Sequence, residues 1–232
     1  MPSEENGPCL EIEISREFSP IYPGSSVGVL VLDNVRVQSH NTNLDGIIRG
    51  IVLDLQKQFP NSIVLKEHPL IKAYSSYYKK FKKSYHVLGQ MESTIFEKRP
   101  LPSGSALVET IFAAELRNIL LTAIYDLDAI DLPLEISISS GEEIYTTLRG
   151  NEQRLKPGDM ITRDQKNVVS SVIYGPDKRT CVKSSTKRVV VIVYAPYKKR
   201  SNCQSLRGYS THHPDILAKI FNCPSGYLSE DL

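Results

Sequence analysis

Residues 105–138 read SALVETIFAAELRNILLTAIYDLDAIDLPLEISI, and within them the chain changes its period. Ser105 offers a helix cap, and Leu107, Val108, Ile111, Phe112, Leu116 and Leu120 recur at three- and four-residue spacing. That pattern predicts a long helix with one apolar face. From Leu134 to Ile138 apolar and polar residues alternate instead, which is the period of a half-buried strand. The switch divides the chain into a helix-rich first part and a strand-rich second part.

Working outward, the segment before Ser105 carries three more helical patterns. Asn41-Thr42-Asn43 offers caps for Leu44, Ile47, Ile48, Ile51 and Leu55, with Pro60 beyond the end. Ile71, Tyr74, Tyr78, Phe81 and Tyr85 line one face of the most regular helix, so the aromatics point inward while Lys79, Lys80, Lys82 and Lys83 project to the sides and back. Val87 to Glu97 reads as a short helix. Nearer the start, Leu10, Ile12 and Ile14 alternate with acids as a strand, and the all-apolar run Val27 to Leu32 fits a central strand covered on both faces. After Ile138, Glu143 to Thr147 alternates, and Gly141-Glu142 sits where a hairpin turn from the preceding strand is wanted. Met160 to Thr162, Val168 to Tyr174 and Arg188 to Tyr194 predict further strands, and Pro214 to Phe221 a closing helix. The strands need the apolar helices to cover them, so one α/β (α+β) domain is expected. Its division is 1–25, an N-terminal segment with a strand; 26–196, the main domain; and 197–232, a basic loop and C-terminal helix packed on the same domain.

Composition narrows the class. With 41% hydrophobic and 23% charged residues in 232, the chain is neither disordered nor a disulfide scaffold. No apolar run approaches the roughly 20 residues of a membrane span. Met1 to Pro8 is acidic and polar, unlike a signal peptide, so a cytoplasmic protein with no membrane partner is expected. Cys9, Cys181, Cys203 and Cys223 form no C-x-x-C pair and no zinc spacing with histidine, so neither disulfide nor structural zinc is expected.

The net charge of +2 conceals segregation. Residues 66–100 hold eight Lys or Arg against three acids and residues 178–207 nine and no acid, whereas residues 101–164 hold eleven acids against five bases. Two basic regions around an acidic middle suit a protein that meets a polyanion on one surface, or charges that scatter over a solvated surface on folding. Other motifs are weaker. Gly24-Ser25-Ser26-Val27-Gly28 matches a nucleophile elbow but precedes its strand rather than following one. His212 and His213 point apart in any regular structure. Asp126, Asp128 and Asp131 suit turn and capping roles better than a cation site. No metal or cofactor is expected, and the catalytic residues, if any, are not legible.

Several stretches in order resemble the B3/B4 domain of the phenylalanyl-tRNA synthetase β subunit, especially its freestanding relatives. They are Val27 to Leu32 with Asp33-Asn34-Val35-Arg36-Val37, the tyrosine-rich helix near Ala73 to Phe81, and Leu101-Pro102. Sharper still are Leu107-Val108-Glu109, Leu116-Arg117 and Tyr125-Asp126-Leu127-Asp128. Gly141-Glu142, Gly150-Asn151-Glu152, Asp164 and Val172-Ile173-Tyr174-Gly175 follow in the family's order. The resemblance covers about residues 26–196 and implies a single domain with a mixed sheet and covering helices. In the synthetase this domain is an editing site that hydrolyses tyrosine wrongly esterified to tRNA.

What the resemblance implies here is binding of tRNA or aminoacyl-tRNA, without DNA specificity, through Lys79, Lys80, Lys82, Lys83, Lys198, Lys199 and Arg200. Its pocket candidates are Ser105, Glu109, Tyr125, Asp126, Glu142 and Glu152. Glu142 and Glu152 either hydrogen-bond a ligand phenol or stand on exposed hairpins. The alternatives are a hydrolase that deacylates a mischarged tRNA in trans, and a small-molecule, amino-acid-like binder without RNA. The chain also departs from the family. Ser105 and Phe112 stand where it usually has Asn, Ala123 where the synthetase has His, and Asn118-Ile119-Leu120-Leu121-Thr122 replaces a Gly-x-Pro stretch. A pocket rebuilt for another ligand, or silent in catalysis, is the expectation. Without the synthetase's catalytic and anticodon-binding domains, these residues are not expected to charge tRNA.

Overall fold

A computed structural model describes residues 10, 12–39, 42–100 and 104–195. The helix Pro214–Phe221, the run Lys198-Lys199-Arg200, the loop Leu101-Pro102 and His212-His213 lie outside the described residues. In chain order the elements are β1 (Ile12–Ile14), α1 (Phe18–Ile21), β2 (Ser26–Leu32), α2 (Thr42–Gln58), α3 (Ser62–Glu67), α4 (Pro69–Lys80), α5 (His86–Ile95) and α6 (Ala106–Asn118). Strands follow: β3 (Leu121–Asp126), then a 3-10 turn at Leu127–Ala129, β4 (Leu134–Ile138), β5 (Ile144–Thr146), β6 (Glu152–Arg154), β7 (Met160–Arg163), β8 (Val168–Ser171), β9 (Gly175–Pro176) and β10 (Val189–Ala195). The α/β architecture with covering helices is as the periodicity requires.

The strands form a three-stranded sheet in the order β2-β10-β3, a five-stranded sheet in the order β1-β4-β7-β8-β9, and the hairpin β5-β6. In the second sheet β1 runs parallel to β4 and the remaining pairs are antiparallel, so it is mixed. The central strand of the first sheet is β10, with Val191 opposite both Leu30 and Ile124. Every residue from Val189 to Tyr194 is buried. The run Val27 to Leu32, expected to be central, is instead the edge strand β2. Both of its faces are indeed packed, Leu30 against Ile111 and Val191 and the alternate valines against the main core. An apolar run reports two covered faces; it carries no information about how many hydrogen-bonding edges are paired.

Three further expectations change. The helix from Ser105 stops at Asn118 rather than Leu120, because Ile119 takes a left-handed conformation at φ 55° with its side chain in the core. Such a conformation costs a β-branched residue about 1–2 kcal/mol and ends the helix sharply. The hairpin expected between residues 134–138 and 143–147 does not form. Ile138 pairs with Met160 of β7, and Ile144 with Arg154 of β6. Between them Gly141 adopts φ +94°, and the Glu143 carboxylate accepts from the Ser139 hydroxyl at 2.7 Å and from the Ser140 and Gly141 N–H groups at 2.9 and 3.0 Å. Burial alone would raise its pKa, but these donors bring it down to about 2. That anchored turn throws β5 out of the sheet. The strand expected at Val168 to Tyr174 ends at Ser171, and the short α3, β6 and β9 have too few residues to declare a period.

One apolar core links both sheets to the helices. On α4, Tyr74, Tyr77 and Tyr78 point inward as their phase requires, and each sends its hydroxyl to the strand layer. Tyr74 donates to the Tyr194 carbonyl and accepts the Leu121 N–H at 2.9 Å. Tyr78 donates to the Val172 carbonyl at 2.6 Å. Tyr77 donates to Asp159 at 2.5 Å and accepts the Met160 N–H at 2.7 Å. Tyrosine does here what phenylalanine could not: it fills core volume and also satisfies buried backbone groups.

Candidate functional site

The cap of α6 is the Ser105 hydroxyl, which accepts the Val108 N–H at 3.4 Å. From that start one turn after another of α6 presents Val108, Ile111, Phe112 and Glu115 to a cavity of about 450 Å³. Residues Leu121 to Ile124 of β3 form the adjoining wall, with His86 and Gln90 from α5. The far side comes from Ser170 and Ser171 at the end of β8, from Val172, Gly175 and Pro176, and from Tyr194 of β10. Cys181 and Val182 complete it, Cys181 being half-buried. The volume lies in the range that holds a small organic ligand, and the wall is mostly apolar with a few convergent polar groups.

Those polar groups are specific. Glu115 is 5% exposed, and its Oε1 accepts the Thr122 N–H at 3.0 Å. Burial raises its pKa to about 8 against the lowering effect of the Thr122 bond, so the carboxyl is mainly protonated at neutral pH. Burial likewise lowers the pKa of His86, whose ring meets Tyr78 edge-on at 5.7 Å, which keeps the imidazole neutral at pH 7. The Tyr194 hydroxyl lies 2.6 Å from that of Thr162 and 3.4 Å from that of Ser170, which also bonds the Tyr125 hydroxyl at 2.6 Å. Ser171 donates to Asp159 and accepts the Tyr174 N–H at 3.1 Å. Burial pushes the pKa of Asp159 up to about 6 despite the bonds from Ser171 and Tyr77.

None of the six residues named as pocket candidates from the sequence lines this cavity. Ser105 is the buried cap, and Glu109 is buried one turn into α6. Tyr125 stands behind the cavity wall, its hydroxyl 2.6 Å from that of the lining residue Ser170. Asp126 closes the 3-10 turn, accepting the Asp128 N–H at 3.1 Å and the Thr186 hydroxyl at 2.7 Å. Glu142 and Glu152 are exposed, the first beside the Gly141 turn and the second on β6. Lys79, Lys80, Lys82 and Lys83 are exposed at the end of α4 and just beyond it. The Lys80 ammonium stands 5.3 Å over the Tyr22 ring, and that of Lys83 5.0 Å over Tyr174, the residue before cavity-lining Gly175. Asp128 pairs with Arg188 at 3.2 Å and Asp131 with Lys166 at 2.5 Å. Among the described residues no cluster of His, Cys, Asp and Glu is arranged to hold a metal ion. Nor is any described helix long and apolar enough to cross a membrane.

The place of Glu115 was legible in the helical period. The residue follows Ile111 by four positions and Phe112 by three, so the helical period puts a carboxyl on the apolar face of α6. A charge in that phase is either paired or neutralised. Four of the positions read as departures from the B3/B4 pattern, Phe112, Leu121, Thr122 and Ala123, also line the cavity.

The chain belongs to the B3/4 domain family, whose pattern matches residues 72–211, from within α4 to beyond β10. This is the domain type seen in the phenylalanyl-tRNA synthetase β subunit. Among solved structures the chain is similar to an N-terminal fragment of the phenylalanyl-tRNA synthetase beta-subunit from Pyrococcus horikoshii, at 13% identity and a TM-score of 0.40. That similarity covers 80% of this chain and 43% of the other, so the chain spans less than half of the fragment's length. Comparison with the curated proteins yields no match.

Proposed function

We propose that this B3/4 domain binds tRNA through its aminoacylated end, with the aminoacyl group in the cavity beside α6 and the lysines after Tyr78 on the phosphates. The observation that carries the reading is the convergence of Phe112, Leu121, Thr122 and Ala123, four positions read as altered from the family pattern, on one mainly apolar cavity of about 450 Å³. A phenyl ring and a methyl group replace an amide and an imidazole there. The exchange removes groups that orient a water and leaves groups that hold an apolar side chain, which supports binding over hydrolysis. Lys83, standing over Tyr174 next to the cavity-lining Gly175, supports a phosphate track close to that cavity.

The test is binding of charged and uncharged tRNA across a salt series. Neutralising about four phosphates gives a log–log salt slope of roughly −3, because each contact releases condensed counterions. Replacing Lys79, Lys80, Lys82 and Lys83 by Ala should flatten the slope and leave the preference for charged tRNA intact. Ala123→Leu, which intrudes on the cavity from β3, should weaken that preference and leave the slope intact. Salt-insensitive binding, or equal binding of charged and uncharged tRNA, would refute the proposal. Release of free amino acid in the same assay would replace it with the hydrolytic reading. The observation favouring that alternative is the Ser171 hydroxyl held on Asp159 in the cavity wall.

A further inference from the structure

The wall of the cavity is one-sided in charge. Its single carboxyl group is Glu115, and no Lys or Arg side chain lines it among the described residues. The remaining basic group, His86, is kept neutral by burial. The Thr122 N–H occupies one oxygen of Glu115, and no described residue bonds the other. Around the carboxyl, α5 contributes His86, and Tyr78 and Tyr85 pack from α4 and the start of α5. The phenol pKa values of both tyrosines are raised, chiefly by burial, with the charge of Glu115 adding to the shift. The Tyr85 hydroxyl is itself buried without a hydrogen-bond partner. Tyr194 and Cys181 face the same space from β10 and the loop before it. Among the described residues no group facing Glu115 supplies a positive charge, so within them an ionised carboxyl there lacks a counterion until a ligand brings one.

We propose that the cavity is a site for an apolar ligand bearing a protonated amine, which Glu115 holds as an ion pair. The inference rests on the reading of the cavity as a ligand site. It adds the ligand group that is recognised, the ammonium, and the residue that holds it, and it sets a free amino acid at a disadvantage. A free carboxylate would meet no cation among the described residues of the wall and would stand beside a group of its own sign. The proton balance is explicit. The neutral Glu115 acid and the ligand ammonium become a carboxylate–ammonium pair, and the Glu115 proton leaves to solvent. Affinity therefore rises about tenfold per pH unit up to the pH at which Glu115 ionises by itself, and levels off above it.

The test is titration calorimetry of the full chain with 2-phenylethylamine, 2-phenylethanol and 3-phenylpropionate at millimolar concentrations. An alkyl ammonium titrates near the lysine value of about 10.4, so the amine stays charged over the whole range. The amine should bind about tenfold more tightly at pH 7.5 than at pH 6.5. It should also release about one proton per ligand, read from buffers of different ionisation heat. The alcohol should bind more weakly and without pH dependence, and the acid not at all. Glu115→Gln should abolish the proton release and the pH dependence for the amine while leaving the alcohol unchanged. Should that variant fail to fold, the proton count on the wild-type chain decides. Equal, pH-independent binding of amine and alcohol would overturn recognition by Glu115 and leave the cavity as a ligand site. Binding of none of the three would overturn both.

Discussion

Replacing Glu115 by Gln should leave stability nearly unchanged in acid and raise it increasingly as the pH rises towards 8. The carboxyl titrates near 4.5 in an unfolded chain and near 8 in the folded one. A raised folded pKa means that its contribution is fully present below about pH 4.5 and is lost as pH rises to about 8. The difference of 8 − 4.5 = 3.5 pH units corresponds to about 5 kcal/mol at 1.36 kcal/mol per unit. Water admitted to the cavity screens the charge, so this is a ceiling. Glutamine keeps an oxygen for the Thr122 N–H and never ionises. Its extra N–H groups cost about 1 kcal/mol, but equally at every pH. Paired urea denaturation at pH 5 and pH 9 reads the effect directly, because Asp159 and His86 titrate in both proteins and cancel in the difference. The two proteins should lie within about 1 kcal/mol of one another at pH 5, with the variant ahead by several kcal/mol at pH 9. A gap of the same size at both pH values would show that the carboxyl is solvated, and would refute its burial beside the cavity.

Tyr74→Phe strips the acceptor from the Leu121 N–H and the donor from the Tyr194 carbonyl, so a loss of about 3 kcal/mol in urea with an unchanged slope is expected; a loss under about 1 kcal/mol would contradict the tie between α4 and the sheet. Arg179 bonds the fully buried Asp164 carboxylate at 2.8 and 3.0 Å, so Arg179→Ala should cost about 3 kcal/mol at pH 7. Burial by itself would raise the Asp164 pKa, yet the Arg179 bonds and the backbone N–H donors bring it down. Its stabilisation is thus present above about pH 4 and lost as pH falls, and the cost of the substitution should shrink when thermal melts are compared at pH 7 and about pH 3.5. At Gly141 an added Cβ would sit 2.8 Å from Pro157 Cδ at φ +94°, so Gly141→Ala should lower stability by about 2 kcal/mol or more. An unchanged melting temperature would show that the turn relaxes freely.

The periods in the chain determined the local structure. The phase of Tyr74 and Tyr78 turns the aromatics of α4 inward wherever that helix packs. Ser105 starts α6 because its hydroxyl meets an N–H three residues on. The alternation at Leu134 to Ile138 yields a strand with one buried face. The ordered stretches from Val27 to Gly175 were enough to recognise the B3/4 family without any geometry. Phe112 and Ala123 could be marked as departures, although nothing in the chain order showed that they meet. Partners were another matter. β2 and β10 are both apolar runs, and only the pairing of β10 with β2 on one edge and β3 on the other makes one central and the other an edge. A side-chain period describes faces, whereas edges are filled by residues far away in sequence. The Gly141 turn was legible as a turn, but the Glu143 carboxylate decided its direction. Glu142 and Glu152 occupied the matching stretches and lie on the surface, while the acid at the cavity is Glu115, on a helix whose apolar neighbours hid it. Whether such a carboxyl is neutral, paired or solvated depends on what packs around it, and that environment exists only once α5, α6, β3 and β8 have come together.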